Sequence, residues 1–137
     1  MAMALKPNGG TLITVGLLPE FAKRARENFA AAGLDTAIES RVNNAFKEIP
    51  QIPGEFNLVF MDTGTNLHRK FLDLVYSRVQ DGGAIFSHNA DTFERDQPDF
   101  RKAVMEDPEL ETSLMLTPGG GMSVSIRRIA AYGKVGM

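Results

Sequence analysis

Strand-like and helix-like patterns alternate along this chain of 137 residues. Six short runs are rich in β-branched residues or almost unbroken in apolar ones, which is typical of strands. They occupy residues 11–15, 37–42, 57–61, 84–86, 111–116 and 122–127. Apolar residues at helical spacing predict helices at residues 19–33, 45–48, 66–79 and 98–105. Such alternation indicates an α/β fold in which helices cover both faces of a parallel sheet.

The connection before the last strand changes this picture at the C-terminal end. Residues 117–121 form a loop that is too short for the crossover that parallel strands need. The last two strands should therefore form an antiparallel hairpin at the end of a mostly parallel sheet. The run at residues 57–61 is nearly unbroken in apolar side chains, so we expect a central strand that is buried on both faces.

The helix at residues 19–33 has signals at both ends. Pro19 suits a first helical turn, where its missing N–H costs nothing, and Gly33 suits a left-handed C-terminal cap. Apolar residues recur between them at helical spacing and should face inward. They are Phe21, Ala25, Phe29 and Ala32.

Length and composition exclude several classes of protein. A chain of this length predicts one domain over residues 1–137, although residues 129–137 lose periodicity and suggest a frayed or partner-bound end. The net charge of −2 without a basic stripe argues against nucleic acid as a partner. No apolar run approaches the roughly 18 residues that span a bilayer. The absence of cysteine excludes disulfides and thiolate chemistry, and fits a cytoplasmic protein.

Polar residues follow the predicted strands where open α/β sheets bind their ligands. Asp62 follows one apolar strand, and His88 with Asn89 follows the next. If these strands are neighbours, an aspartate, a histidine and an asparagine converge on one edge of the sheet. Such a trio could bind a divalent metal ion or hold a general base near a substrate.

Each of these residues also has an ordinary structural explanation. Asp62 could cap a turn, His88 could be a hydrogen-bonded structural histidine, and Asn89 could be a turn residue before the polar loop that follows. Asn44, which comes after the second predicted strand, could belong to a plain loop. His68 lies on a predicted helix, where we expect it to be solvent-facing or half-buried. Glycines 119–121 precede a strand rather than a helix, so a hairpin turn explains them better than a phosphate-binding loop.

Five segments, taken in order, resemble a known family. They are residues 14–20 with 25–34, 56–62, 81–86, 107–112 and 119–125. Together they are similar to the class I S-adenosylmethionine-dependent methyltransferases, specifically the small O-methyltransferases related to the catechol and caffeoyl-CoA enzymes. Residues 56–62 resemble the family's "FDLVFID" strand. The resemblance implies a Rossmann-like sheet whose last strand is antiparallel and inserted beside its neighbour.

The resemblance also implies a chemistry and a set of site residues. A small-molecule hydroxyl would attack the methyl group of S-adenosylmethionine, often with help from a Mg²⁺-type ion and a nearby base. Asp62 would be a metal ligand, and His88 with Asn89 would replace the family's Asp-Asn pair. A neutral imidazole at His88 would favour a softer ion than Mg²⁺. No catalytic residue is assigned.

Cofactor contacts are implied at the ends of the first two strands. Gly16 stands where the family has an acid that binds the ribose hydroxyls, and Asn44 with Ala45 stands where "GDA" contacts adenine. The family's first strand and glycine-rich loop have no counterpart, so the chain resembles an N-terminally truncated member.

Two interpretations stay open: an O-methyltransferase, and a catalytically silent methyltransferase-like domain for binding or assembly. An unrelated α/β nucleotide-binding protein is disfavoured, because no phosphate loop is present.

The missing strand would be central in the family's sheet. Its absence would leave two strands with unpaired backbone groups, which are costly when buried. We therefore expect either direct pairing of those strands or a second copy that fills the gap, as a homodimer or a strand-swapped arrangement.

Overall fold

The computed structural model describes residues 1–116 and 120–130. It divides into two compact units, Met1–Ile52 and Pro53–Met137, which are considered separately below. Part of the predicted hairpin loop, residues 117–119, and most of the predicted frayed end, residues 131–137, lie outside the described residues. The expectation of a single domain stays a prediction.

The first unit holds a two-stranded parallel sheet and three helices. Its elements are α1 (Ala2–Leu5), β1 (Leu12–Gly16), α2 (Pro19–Ala31), β2 (Ile38–Val42) and α3 (Ala45–Glu48), with 3-10 turns at Lys6–Asn8 and Ile49–Gln51. In the β1–β2 pairing, Leu12 lies opposite Ile38 and Gly16 lies opposite Val42. The two strands therefore end side by side.

Helix α2 confirms the predicted ends and part of the predicted inner face, since Ala25 and Phe29 are half-buried. Pro19 is in the first turn, and Gly33 follows the helix with a φ of +65°. Phe21 is 67% exposed, whereas Ala22 is buried, so the prediction that Phe21 faces inward was wrong. The stripe that packs inward runs through Ala22 and Phe29, and Phe21 lies about 100° away from Ala22 around the helix. Ala32, which is exposed, lies outside that stripe as well.

The second unit holds a four-stranded mixed sheet and three α-helices among its described residues. Its elements are β3 (Phe56–Met61), α4 (His68–Val75), β4 (Val79–His88), α5 (Phe93–Asp96), α6 (Pro98–Met105), β5 (Leu110–Met115) and β6 (Met122–Arg127). Short 3-10 turns lie at Thr65–Leu67, Tyr76–Arg78 and Ala90–Thr92. Within the described residues of both units, no helix is long and apolar enough to cross a membrane.

The strand order in this sheet is β3-β4-β6-β5. β3 and β4 are parallel, whereas β6 is antiparallel to both β4 and β5. The predicted C-terminal hairpin is therefore confirmed, and β6 is inserted between β4 and β5. All six predicted strands are present, and among the described residues they form two sheets rather than the one expected.

Strand β4 is longer than predicted, and the difference has a local cause. The sequence around Gly82 predicts a turn before a strand at residues 84–86, but β4 already begins at Val79. Phe56 pairs with Val79 and Leu58 pairs with Ala84, so the register shifts between these two pairs. Gly82 adopts a φ of +76°, which makes the expected turn an irregularity inside the strand.

The expectation that residues 57–61 form a central strand was wrong for this sheet. β3 lies at the edge of the strand order and, among the described residues, pairs with β4 alone. Leu58 is 41% exposed and Phe60 is 43% exposed. Strand β3 therefore has two partly exposed apolar side chains and one backbone edge that its own sheet does not cover.

The core of the second unit lies between the sheet and helices α4 and α6. Its largest fully buried side chains are those of Phe93, Phe100, Ile85 and His68. The expectation of a solvent-facing or half-buried His68 was wrong, because this imidazole has no exposed surface. It packs against two phenylalanine rings, with ring-centroid distances of 5.9 Å to Phe93 and 5.3 Å to Phe100.

Candidate functional site

The ends of β3 and β4 bring two of the predicted site residues together. Met61 lies opposite Ser87 in the parallel pairing, so the next residues, Asp62 and His88, leave the sheet at the same edge. His88 Nδ1 lies 3.3 Å from Asp62 Oδ1. The convergence expected from the strand ends is therefore observed.

His88 Nδ1 is the chemically unusual atom of this pair. The distance of 3.3 Å to Asp62 is within ion-pair range, but Nδ1 is buried and its alignment is not that of a hydrogen bond. Most buried polar atoms in proteins have a hydrogen-bond partner. A proton or a metal ion could therefore be held between His88 Nδ1 and the Asp62 carboxylate.

The distance between these two atoms is compatible with a shared ion. Two nitrogen or oxygen ligands at about 2.1 Å from one ion, at an angle of about 90–110°, stand about 3.0–3.4 Å apart. Within the described residues, however, no group of three or more His, Cys, Asp or Glu side chains could hold a metal ion. A metal at this edge would need Asn89 as well, so its binding stays a prediction.

Asn89 follows His88 in an uncommon backbone conformation. Its φ of 64° makes it the one non-glycine residue with positive φ among the described residues. Asparagine tolerates this left-handed region better than most residues. The Asn89 carbonyl oxygen accepts hydrogen bonds from the backbone N–H and the hydroxyl of Thr92, both at 3.1 Å. The turn after β4 is thus held by Thr92.

The three predicted cofactor residues lie in the first unit. Gly16 ends β1, and its carbonyl oxygen accepts a hydrogen bond from the backbone N–H of Asn43 at 3.0 Å. Asn44 is the N-cap of α3, since its side chain accepts from the backbone N–H of Phe46 at 2.9 Å. Ala45 begins that helix. The capping role makes Asn44 more than a plain loop residue, and the cofactor roles of all three stay predictions.

Charged side chains hold the segment after β2. Glu48 accepts hydrogen bonds from Asn43 Nδ2 at 2.8 Å and from Arg41 Nη1 at 2.9 Å. These contacts, the Asn43 bond first, lower the pKa of Glu48. Hydrogen bonds to Glu39 and then to Glu48 raise the pKa of Arg41. The loop that contains Asn44 is therefore fixed by a network around one carboxylate.

Sequence reasoning missed the contacts that the start of β6 makes with the turn after β4. Gly121 donates its backbone N–H to Asp91 Oδ1 at 3.0 Å, and the backbone N–H of Ala90 donates to the Gly121 carbonyl oxygen at 3.1 Å. The only available signal was the run of glycines. It indicated a hairpin, which the antiparallel β5–β6 pairing confirms, but not the partner of that hairpin.

The inserted antiparallel strand and the polar residues at the parallel strand ends define a Rossmann-like methyltransferase fold. A family model described as a methyltransferase domain matches residues 1–90. The chain belongs to this methyltransferase family, which confirms the class to which the resemblance pointed. No curated protein matches the chain.

Solved structures agree on the fold. The chain is similar to the O-methyltransferase TomG from Streptomyces achromogenes in complex with SAM, at 18% identity and a TM-score of 0.84, covering 93% of this chain and 66% of that one. It is also similar to an O-methyltransferase from Bacillus cereus in complex with SAH, at 18% identity and a TM-score of 0.77, covering 88% and 64%. The chain spans about two thirds of the length of these proteins or slightly less.

Proposed function

We propose that this chain carries out methyl transfer from S-adenosylmethionine to a small-molecule hydroxyl, with the edge formed by Asp62, His88 and Asn89 as the acceptor end. The observation that carries the proposal is the approach of His88 Nδ1 to Asp62 Oδ1, 3.3 Å apart at the carboxyl ends of adjacent parallel strands. Similarity to O-methyltransferases bound to SAM or SAH supports it at the level of fold.

The first unit leaves open space beside Gly16 but offers no charged side chain at that position. A side chain at Gly16 would meet no other atom within 4 Å, so the end of β1 is open. Gly16 itself offers no carboxylate to ribose hydroxyls. Asn44 uses its oxygen to cap α3, which leaves its amide nitrogen to donate. We propose that Gly16, Asn44 and Ala45 contact the donor, and that this contact is weak.

S-adenosylmethionine, when bound, supplies an electrophilic methyl group on its sulfonium. The task of the protein's own side chains is to hold the acceptor hydroxyl in line with that group and to accept its proton. The His88 imidazole can take the proton, and Asp62, which lies 3.3 Å from Nδ1, can stabilise the resulting imidazolium. Asp62, His88 and Asn89 could instead hold a divalent ion, which would supply positive charge to stabilise the deprotonated acceptor.

The second candidate is a methyltransferase-fold domain without catalytic activity, used for binding or assembly. Gly16 favours it, because losing one hydrogen bond to a charged group weakens binding by about 1.5–3 kcal/mol.

We further propose that the chain is cytoplasmic, which its lack of cysteine supports, and that it pairs with a second copy through β3. The exposed Leu58 and Phe60 on that edge strand support such pairing.

Isothermal titration calorimetry with S-adenosylmethionine separates the two candidates. We expect saturable heat in the micromolar to millimolar range. No heat at millimolar donor would refute donor-dependent catalysis by this chain and favour the silent domain.

A second titration, with Mn²⁺, tests the acceptor end. Asp62→Ala should abolish Mn²⁺ binding if an ion is held there, while Asp73→Ala, which removes an exposed aspartate of α4, should leave it unchanged. If wild-type protein binds the donor but no Mn²⁺, His88 serves as a base without a metal.

A further inference from the structure

Two hydrogen bonds join the start of β6 to the turn after β4, called here the site turn (residues 88–92). One contact runs from the Ala90 N–H to the Gly121 carbonyl oxygen and needs no side chain. The other runs from the Gly121 N–H to Asp91 Oδ1 at 3.0 Å and depends wholly on that carboxylate. Asp91 is therefore the one side chain in this pair of contacts.

The approach is so close that position 121 must be glycine. A Cβ at Gly121 would lie 2.9 Å from the backbone nitrogen of Asp91 and 3.0 Å from the carbonyl oxygen of Met115. Both are backbone atoms and cannot rotate away. The same close approach brings Gly120 against the site turn, because the two glycines are adjacent in the chain.

Gly120 contacts the histidine of the site. A Cβ at Gly120 would lie 3.1 Å from His88 Nε2 and 3.7 Å from Asn89 Oδ1. The Nε2 edge of the imidazole thus faces the hairpin, and Nδ1 faces Asp62. Moving Gly120 away would remove this neighbour from the Nε2 edge and leave the ring freer to turn.

We propose that Asp91 is a positioning residue: by holding Gly121 it docks the hairpin on the site turn and so fixes the His88 ring with Nδ1 toward Asp62. Removing a residue that orients a metal-binding histidine commonly lowers the metal affinity or the activity by about 10- to 100-fold. The inference rests on the proposed function only in taking the site turn as the acceptor end.

The test compares Asp91→Ala with Asp91→Asn, which keeps a side-chain oxygen that can accept the Gly121 N–H. Asp99→Ala, an exposed aspartate on α6, is the matched control. The first measurement uses the ligand-free protein. ¹⁵N NMR reports the two imidazole nitrogens of His88, and hydrogen exchange reports the Gly121 amide.

We expect Asp91→Ala to shift the His88 nitrogen resonances and to speed Gly121 exchange at least tenfold. Asp91→Asn should restore most of both, and Asp99→Ala should change neither. Unchanged His88 resonances in Asp91→Ala would overturn the proposal, whether or not the protein binds a donor. Equal shifts in Asp91→Ala and Asp91→Asn would also overturn it, since the accepting oxygen would then be irrelevant.

A Mn²⁺ titration of the same variants separates this inference from the proposed function. Where wild-type protein binds Mn²⁺, the affinity of Asp91→Ala should fall about 10- to 100-fold and that of Asp91→Asn much less. Where wild-type protein binds no Mn²⁺, the proposed metal site fails, while the His88 resonances still decide the role of Asp91.

Discussion

His68 Nδ1 lies 2.5 Å from Gln97 Oε1 in the interior of the second unit. Both residues are buried, since His68 has no exposed surface and Gln97 is 5% exposed. The contact joins α4 to the residue between α5 and α6. Because α5 directly follows the turn after β4, the bond between these residues supports the segment that carries the candidate site.

His68→Ala should be strongly destabilising. The change removes a fully buried ring that packs on Phe93 and Phe100, and it leaves the Gln97 oxygen without its partner. We expect a loss of about 2–5 kcal/mol of unfolding free energy, the range for buried side chains of this size. Urea unfolding followed by circular dichroism measures the loss.

His88→Ala is the matched control, because it replaces the chain's other histidine, whose side chain is 37% exposed. We expect it to cost less than about 1 kcal/mol. Equal losses in the two variants would contradict the buried packing of His68.

The pattern of apolar residues was sufficient to predict the six strands and the hairpin, because strand and helix periods are local properties of the chain. It failed where contacts are remote. The partner of His68 lies 29 residues away, and nothing near His68 indicates that a glutamine will satisfy a buried imidazole. The length of β4 was missed for another reason: Gly82 has the φ of a turn, yet pairing continues on both sides of it.

The candidate site also combines a contact that the sequence predicts with one that it does not. The meeting of Asp62 and His88 follows from the topology, since neighbouring parallel strands end at one edge. The contact of Gly121 with Asp91 spans 30 residues and depends on the exact place where β6 begins. A local pattern cannot predict that position.

Gly16→Glu should strengthen donor binding. The position has no neighbouring atom within 4 Å of a Cβ, so a side chain fits without displacing others. A carboxylate there could accept hydrogen bonds from ribose hydroxyls, each worth about 1.5–3 kcal/mol when charged, or about 10- to 100-fold in affinity. Calorimetry with S-adenosylmethionine measures the gain. Gly16→Gln, similar in size but uncharged, should gain much less, and equal affinities in all three proteins would contradict the role of Gly16.

The edge strand β3 should pair with a second copy of the chain. Its apolar side chains Leu58 and Phe60 are about two-fifths exposed, and such edges associate readily. Sedimentation velocity should show a dimer at micromolar concentration, and Phe60→Lys should yield monomer. Met105→Lys, which changes a residue of α6 that is 42% exposed, should leave the dimer intact. A monomeric wild-type protein at high micromolar concentration would contradict this pairing.

The network around Glu48 should make the first unit sensitive to acid. The pKa of Glu48 is lowered in the folded state, so its contribution to stability is complete above the unfolded-state pKa and is lost as the pH falls through the folded-state value. Asn43→Ala removes the larger cause and should raise the pKa of Glu48. Carboxyl ¹³C NMR titration measures this change. Asn28→Ala, an exposed asparagine on α2, should leave the titration unchanged, and a Glu48 titration unaltered by Asn43→Ala would contradict the assignment.

Gly120→Ala should displace His88 rather than merely destabilise the fold. Gly120 has a φ of +130°, so any side chain there is strained, and the new methyl group would also lie 3.1 Å from His88 Nε2. Gly54→Ala is the matched control in the same unit, because Gly54 has a φ of +81° and open space around its Cβ. Backbone strain should cost Gly54→Ala about 1–2 kcal/mol, and it should cost Gly120→Ala more, because a φ of +130° lies outside the left-handed helical region. Only Gly120→Ala should shift the His88 ring resonances in ¹⁵N NMR, and equal spectra for the two variants would show that position 120 does not contact the ring.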